Sequence, residues 1–144
     1  SADLPSLGGL VHSPLFLGAV RSAKIRGTTD AEFLFQAFLT RLDEGDDAPT
    51  ALRSLSADVK AHAQAHGSKA HLNLLASDGV HLYATRDGTE TVCNSLYHLN
   101  DGAEFPDAHV VASEPLMDDP LWEPVAAGTM LVLSAGAPPV RLPL

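Results

Sequence analysis

The chain has 144 residues, a length that fits one hydrophobic core and excludes two full-sized domains. Hydrophobic residues make up 45% and charged residues 19%, enough apolar material for a packed interior and unlike the composition of a disordered acidic chain. The 18 Asp and Glu outnumber the 9 Lys and Arg, and the net charge of −9 opposes binding to nucleic acid or anionic membrane, which rests on Lys and Arg releasing counterions. Small molecules or proteins are the expected partners.

In chain order, the first expected element is a strand over Val11–Arg21. His12-Ser13-Pro14 opens it and Leu15–Val20 is a short, nearly continuous apolar run of the kind buried on both faces. Thr29-x-x-Glu32 forms a capping box ahead of a helix whose apolar stripe is Leu34, Phe38 and Leu42, beside Phe35 and Leu39. The acidic run Asp43-Glu44-Gly45-Asp46-Asp47 ends it. A second helix is expected from about Thr50 to His66, with Leu52, Leu55 and Val59 inward and Gly67 as its stop.

From Ala70 the period changes to two. Strands are expected at Ala70–Ser77, Val80–Arg86 and Ser95–Leu99, with Asp78-Gly79 and Asp87-Gly88 as tight turns of a meander. Further strands follow at His109–Ser113, Thr129–Leu133 and Pro139–Leu142, with Glu114–Pro124 as a proline-containing loop. This order defines an α+β class, with helices on one face of a sheet.

No apolar run approaches the roughly 20 residues of a membrane span, the longest being around Pro14–Val20 and Met130–Leu133. Ser1-Ala2-Asp3 has no basic, apolar leader, and the single cysteine, Cys93, makes no internal disulfide; a cytoplasmic setting is expected.

Several residues carry local chemistry. His62 and His66 lie one helical turn apart, with His71 following, a metal-capable spacing but without the glutamate of a zinc-protease helix; the alternative is a solvated helix face, and no metal site is assigned. Cys93 has no cationic or helix-start neighbour to activate it and reads as a buried thiol. Ser1 has its own amine as a base but no oxyanion donor beside it, and it reads either as a nucleophile or simply as the first residue of the chain. Asp118-Asp119 before Pro120 reads as a turn-former or a cation ligand. Arg21 after a buried strand and Asp30 in the first turn of a helix are together able to hold the carboxylate and ammonium of an α-amino acid; equally, they read as a surface Arg and a helix-dipole Asp.

Four segments in series resemble the class II glutamine amidotransferases. They are Ser13–Ala23 (SPLFLGAVRSA), Arg26–Glu32 (RGTTDAE), Leu72–Gly79 (LNLLASDG) and Val110–Trp122 (VVASEPLMDDPLW). The closest likeness is to stand-alone members with γ-glutamyl amidohydrolase activity, including the ergothioneine-pathway type, toward which Ala19-Val20-Arg21-Ser22-Ala23 leans. The resemblance implies the N-terminal-nucleophile hydrolase fold, an αββα sandwich, and a cysteine nucleophile that attacks a γ-glutamyl amide with its own amine as base. It further implies that Arg21 grips the substrate α-carboxylate and Asp30 its α-ammonium. No cofactor is implied. The expected ligand is glutamine or a γ-glutamyl compound, and a homo-oligomer or a synthetase is the possible protein partner.

Two departures from the family pattern stand out. No cysteine precedes Cys93, and no Asn-Gly pair occurs anywhere, although the family uses one for its oxyanion hole. Only Ser22, Ala23, Lys24 and Ile25 separate the Arg strand from the Arg26–Glu32 segment, so residues 23–26 read as a seam in a single, partial domain spanning 1–144. The nucleophile is then expected outside this sequence; a catalytically inactive amino-acid-binding or scaffold homologue is the alternative. A partial sandwich is also expected to leave sheet edges and apolar surface uncovered.

Overall fold

Residues 29–90 and 93–144 are described by the structure, a computed structural model. The expected strand Val11–Arg21, the 23–26 seam, Ser1 and Arg21 lie outside the described residues. The chain divides into two compact units, Ser1–Ser68 and Lys69–Leu144.

Among the described residues, the first unit contributes two helices, α1 (Asp30–Asp43) and α2 (Ala48–Ala65). Thr29 caps α1 as expected, its hydroxyl accepting from the Glu32 N–H at 3.3 Å. The buried side of α1 is rotated from the predicted stripe: Phe33, Ala37, Phe38, Thr40 and Arg41 are buried, whereas Phe35 is 52% exposed. Arg41 explains the rotation. Its guanidinium donates to Ser54 Oγ (2.9 Å) and Asp58 Oδ2 (2.6 Å) on α2, and to the Ala37 carbonyl (3.0 Å). A charged side chain that hydropathy assigns to solvent is thereby drawn between the helices.

α2 begins two residues before the expected Thr50, because the Asp47 carboxylate accepts from the Thr50 N–H at 2.8 Å and Pro49 fits the first turn. Leu52, Leu55 and Val59 are buried as expected. At the far end Ser68 N–H donates to Ala63 O (2.7 Å) and Gly67 N–H to Gln64 O (3.1 Å), with Gly67 at φ +63°. This closure needs a left-handed residue, and glycine adopts that conformation without a Cβ penalty.

Among the described residues, the second unit holds seven strands: β1 (Leu75–Ser77), β2 (His81–Arg86), β3 (Tyr97–Gly102), β4 (Phe105–Ala112), β5 (Glu123–Pro124), β6 (Thr129–Ser134) and β7 (Val140–Pro143). They form two antiparallel sheets, ordered β1-β2-β6-β7 and β4-β3-β5. The class is therefore α+β with antiparallel sheets, as expected, but the single meander is not found.

The meander fails at Asp87-Gly88. Gly88 bridges to His71, and the Leu72 N–H donates to Asp87 O at 2.9 Å, so this pair prolongs the β1–β2 register instead of reversing the chain. A Cβ on Gly88 would lie 2.8 Å from Ala70 O and 2.9 Å from Cys93 Cβ. Close approach, not a turn, requires the glycine. The next strand, β3, then joins the other sheet. Asp78-Gly79 does turn the chain, the Asp78 carboxylate accepting from the Val80 and His81 N–H groups at 2.9 and 2.6 Å.

The expected Ala70–Ser77 strand shortens to β1. Ahead of it the fully buried Thr85 replaces ladder bonds with its hydroxyl, which accepts from Leu74 N–H (3.0 Å) and donates to Leu72 O (2.9 Å). The Glu114–Pro124 loop also yields β5, which was not expected. Pro124 lies opposite Tyr97 on the sheet edge, where a missing donor is tolerated.

Both sheets feed one core. Leu82 and Ala84 of β2 lie opposite Leu133 and Leu131 of β6, and this row packs with Leu96, Val125 and Val111 from the three-stranded side. Among the described residues no helix is long and apolar enough to cross a membrane. Phe35, Leu75, Val80, Leu116, Leu121 and Val140 are large apolar side chains left exposed.

Candidate functional site

The register of the three-stranded sheet places a polar group on its core-facing side. His98 of β3 stands opposite Val111 of β4 and Glu123 of β5, and Asn100 stands opposite His109. Val111 packs on the core, so residues in its row and two positions along share its face. In the four-stranded sheet Arg141 pairs with the core residue Leu131 and faces the same layer. At this end of the layer, polar residues replace apolar ones.

Three contacts organise the cluster. His98 Nε2 lies 3.0 Å from His109 Nδ1, His109 Nε2 lies 2.9 Å from the Ala137 carbonyl oxygen, and Arg141 Nη2 donates to Glu123 Oε2 at 3.0 Å. The imidazole rings stack with centroids 5.2 Å apart. Tautomers follow from the carbonyl, which only accepts. With a neutral His109, that ring carries its proton on Nε2, leaves Nδ1 as an acceptor, and takes a hydrogen bond from His98 Nε2.

Burial pushes the pKa of His98 down to about 4, helped by the neighbouring His109 and the positive Arg141, while Glu123 opposes the shift. The ring is thus neutral at pH 7. A cavity of about 300 Å³ is lined by His98, Asn100, Leu121, Glu123, Pro139 and Arg141. Two more, of about 290 and 300 Å³, adjoin His109. Their shared rim includes Asp107, which at φ +59° follows Asp101 at φ +53° and donates its N–H to Asp101 Oδ1 at 2.9 Å. Aspartate is among the few side chains that tolerate this conformation.

Among the described residues, none of those singled out in sequence lines these three cavities. Asp30 is the first residue of α1 and is exposed, while Arg21 lies outside the described residues, so no described geometry unites the pair. His62 and His66 stack with centroids 3.9 Å apart, and His66 Nδ1 is 2.9 Å from the His62 carbonyl; burial and the neighbouring His66 lower the pKa of His62. His71 sits in the bridge to Gly88. Among the described residues no group of three or more His, Cys, Asp or Glu is placed to hold a metal ion. Cys93 is a buried free thiol, as expected. Asp119 is a turn-former: its carboxylate accepts from Leu121 N–H (2.9 Å) and Ala103 N–H (3.0 Å).

Sequence reasoning missed His98 and His109. Their one local signal is a polar residue at an alternating position inside Tyr97–Leu99 and Ala108–Val110, flanked by β-formers.

In fold, the chain is similar to a glutamine aminotransferase class-II domain protein from Silicibacter pomeroyi, with a TM-score of 0.72 and 27% sequence identity. The match covers 96% of this chain and 61% of that one, so the chain spans less than two thirds of the neighbour's length. No protein-family model matches the sequence, and no curated protein matches it. The structural likeness supports the class II glutamine amidotransferase fold for this chain.

Proposed function

We propose that the chain is part of a glutamine amidotransferase-like hydrolase of a γ-glutamyl amide bond, in glutamine or a γ-glutamyl thiol compound. The fold likeness to the Silicibacter pomeroyi protein carries this reading, and the four motif segments in family order support it. In the proposed reaction a cysteine outside these 144 residues attacks the amide, ammonia or an amine leaves, and water releases the γ-glutamyl group as a free acid. Arg21 holds the substrate α-carboxylate by paired hydrogen bonds and Asp30 holds the α-ammonium by charge. Both belong to one partial αββα domain of the N-terminal-nucleophile hydrolase type, in a cytoplasmic enzyme of the stand-alone or ergothioneine-pathway kind. It works as a homo-oligomer or beside a synthetase.

The test is release of glutamate from glutamine and from a γ-glutamyl thiol compound by the parent polypeptide. Arg21→Ala and Asp30→Ala are each expected to lower kcat/KM by about 2–4 kcal/mol of transition-state binding. Unchanged kcat/KM in both variants would overturn the assigned roles. The absence of an Asn-Gly pair from these 144 residues favours a second reading, a catalytically inactive amino-acid-binding or scaffold homologue. Calorimetric binding of glutamine without turnover by the parent polypeptide would select it.

A further inference from the structure

The C-terminal end of α2 carries an imidazole pair that the proposed hydrolysis does not use. His62 and His66 are one helical turn apart, so both rings leave the helix on one side, and they stack with centroids 3.9 Å apart and planes inclined by 21°. Two nitrogens bound to one Zn²⁺, each at about 2.0–2.1 Å, lie at most about 4 Å from one another, so the rings already stand within the span of a single ion. His66 Nδ1 lies 2.9 Å from the His62 carbonyl oxygen, which only accepts. With a neutral His66, the proton sits on Nδ1 and Nε2 carries the lone pair. His66 is exposed and His62 half-buried, so an ion in solution reaches both rings.

We propose that His62 and His66 chelate one divalent transition-metal ion of the imidazole-preferring class, Zn²⁺, Cu²⁺ or Ni²⁺, through their Nε2 atoms. Imidazole nitrogen suits these ions, whereas Mg²⁺ and Ca²⁺ take oxygen ligands. The bond from His66 Nδ1 to the carbonyl is the kind of outer contact that orients a ligating imidazole and fixes its tautomer. The backbone adds a field of the right sign, because the C-terminal end of an 18-residue helix is its negative pole. One ring is stacked on the other and one is tied to the backbone, so less side-chain freedom is lost on binding than at two independently solvated histidines. Among the described residues no third His, Cys, Asp or Glu completes the set, so water fills the remaining positions and the ion exchanges with solution. Ala63 stands where a zinc-protease helix has its glutamate, and the site therefore binds metal without supplying a general base.

The experiment is an NMR titration of the full chain, ¹⁵N-labelled at histidine, with Zn²⁺ as the probe and Mg²⁺ as the control. Zn²⁺ is expected to shift the Nε2 resonances of His62 and His66 together and saturably, one ion per chain, with half-saturation below about 0.1 mM. Mg²⁺ is expected to leave both unmoved. His66→Gln is expected to raise the half-saturation at His62 at least tenfold. The double variant His66→Gln with Gln64→His keeps the number of histidines but sets the rings on different sides of the helix, and the same loss is expected. Because the one-turn spacing exists only in the folded helix, Zn²⁺ is also expected to raise the thermal midpoint of the unaltered chain, EDTA to reverse the rise, and both variants to lack it. No saturable shift, a shift at only one of the two rings, coordination through His66 Nδ1, undiminished affinity in either variant, or an unmoved thermal midpoint would each overturn the proposal. None of these outcomes touches the hydrolytic reading, whose residues the site does not share.

Discussion

Val111 and His98 share one cross-strand row, yet the first packs on the apolar core and the second joins a polar cluster. Toward Val111 the layer is Ala84, Leu96, Val125, Leu131 and Leu133, joined by contacts that have no preferred direction. Toward His98 it is a chain of directed bonds, from His98 through His109 to the Ala137 carbonyl, with the Arg141–Glu123 pair alongside. The first end is tolerant of geometry and supplies most of the stability. The second stabilises less, because desolvation of each polar group offsets much of its bond, but it allows only one register and one proton order.

The strongest way to separate the two ends is Leu131→Ala, which empties a fully buried position. A loss of about 2–5 kcal/mol is expected in denaturant unfolding, with the pH dependence of stability unchanged. Acid tests the other end. The unfolded chain binds a proton at His98 near its ordinary pKa of 6.5, while the folded chain does so only near 4. The unfolded state therefore holds more protons between these values, and stability falls as pH drops from about 6.5 to 4, by at most about 3 kcal/mol, and is flat in this respect above 6.5. Urea midpoints measured across that range check it, and His98→Gln is expected to remove the slope.

Two smaller effects sharpen the contrast within the polar end. His109→Phe leaves the Ala137 carbonyl and the His98 N–H without their partners and is expected to cost about 1–3 kcal/mol, read by thermal unfolding. Arg141→Gln breaks a pair whose members are both exposed, and less than about 1 kcal/mol is expected, diminishing further in salt.

Much of the local structure was legible because its causes are local. The Thr29 cap, the Gly67 stop and the Asp78 turn are each set by a side chain acting within a few residues of itself. The misreadings share the opposite property. Arg41 turned inward because Asp58 waits on the next helix, Asp87-Gly88 failed to reverse because His71 and Cys93 crowd Gly88, and Pro124 became a strand because β3 had an open edge. The histidine pair was hidden for the same reason: only the register of β3 against β4 brings His98 and His109 together. Resemblance, by contrast, pointed to Arg21 and Asp30, of which the described structure contains only the second, on an exposed helix start.

Cys93 is the chain's one thiol, 5% exposed and pressed against the place where Gly88 has no side chain, while Arg86 Nη2 donates to its carbonyl at 3.4 Å. A reagent in solution can reach that sulfur only when the packing around it opens. The chain therefore carries its own clock: the rate at which Cys93 is alkylated counts every opening that uncovers it, local or global.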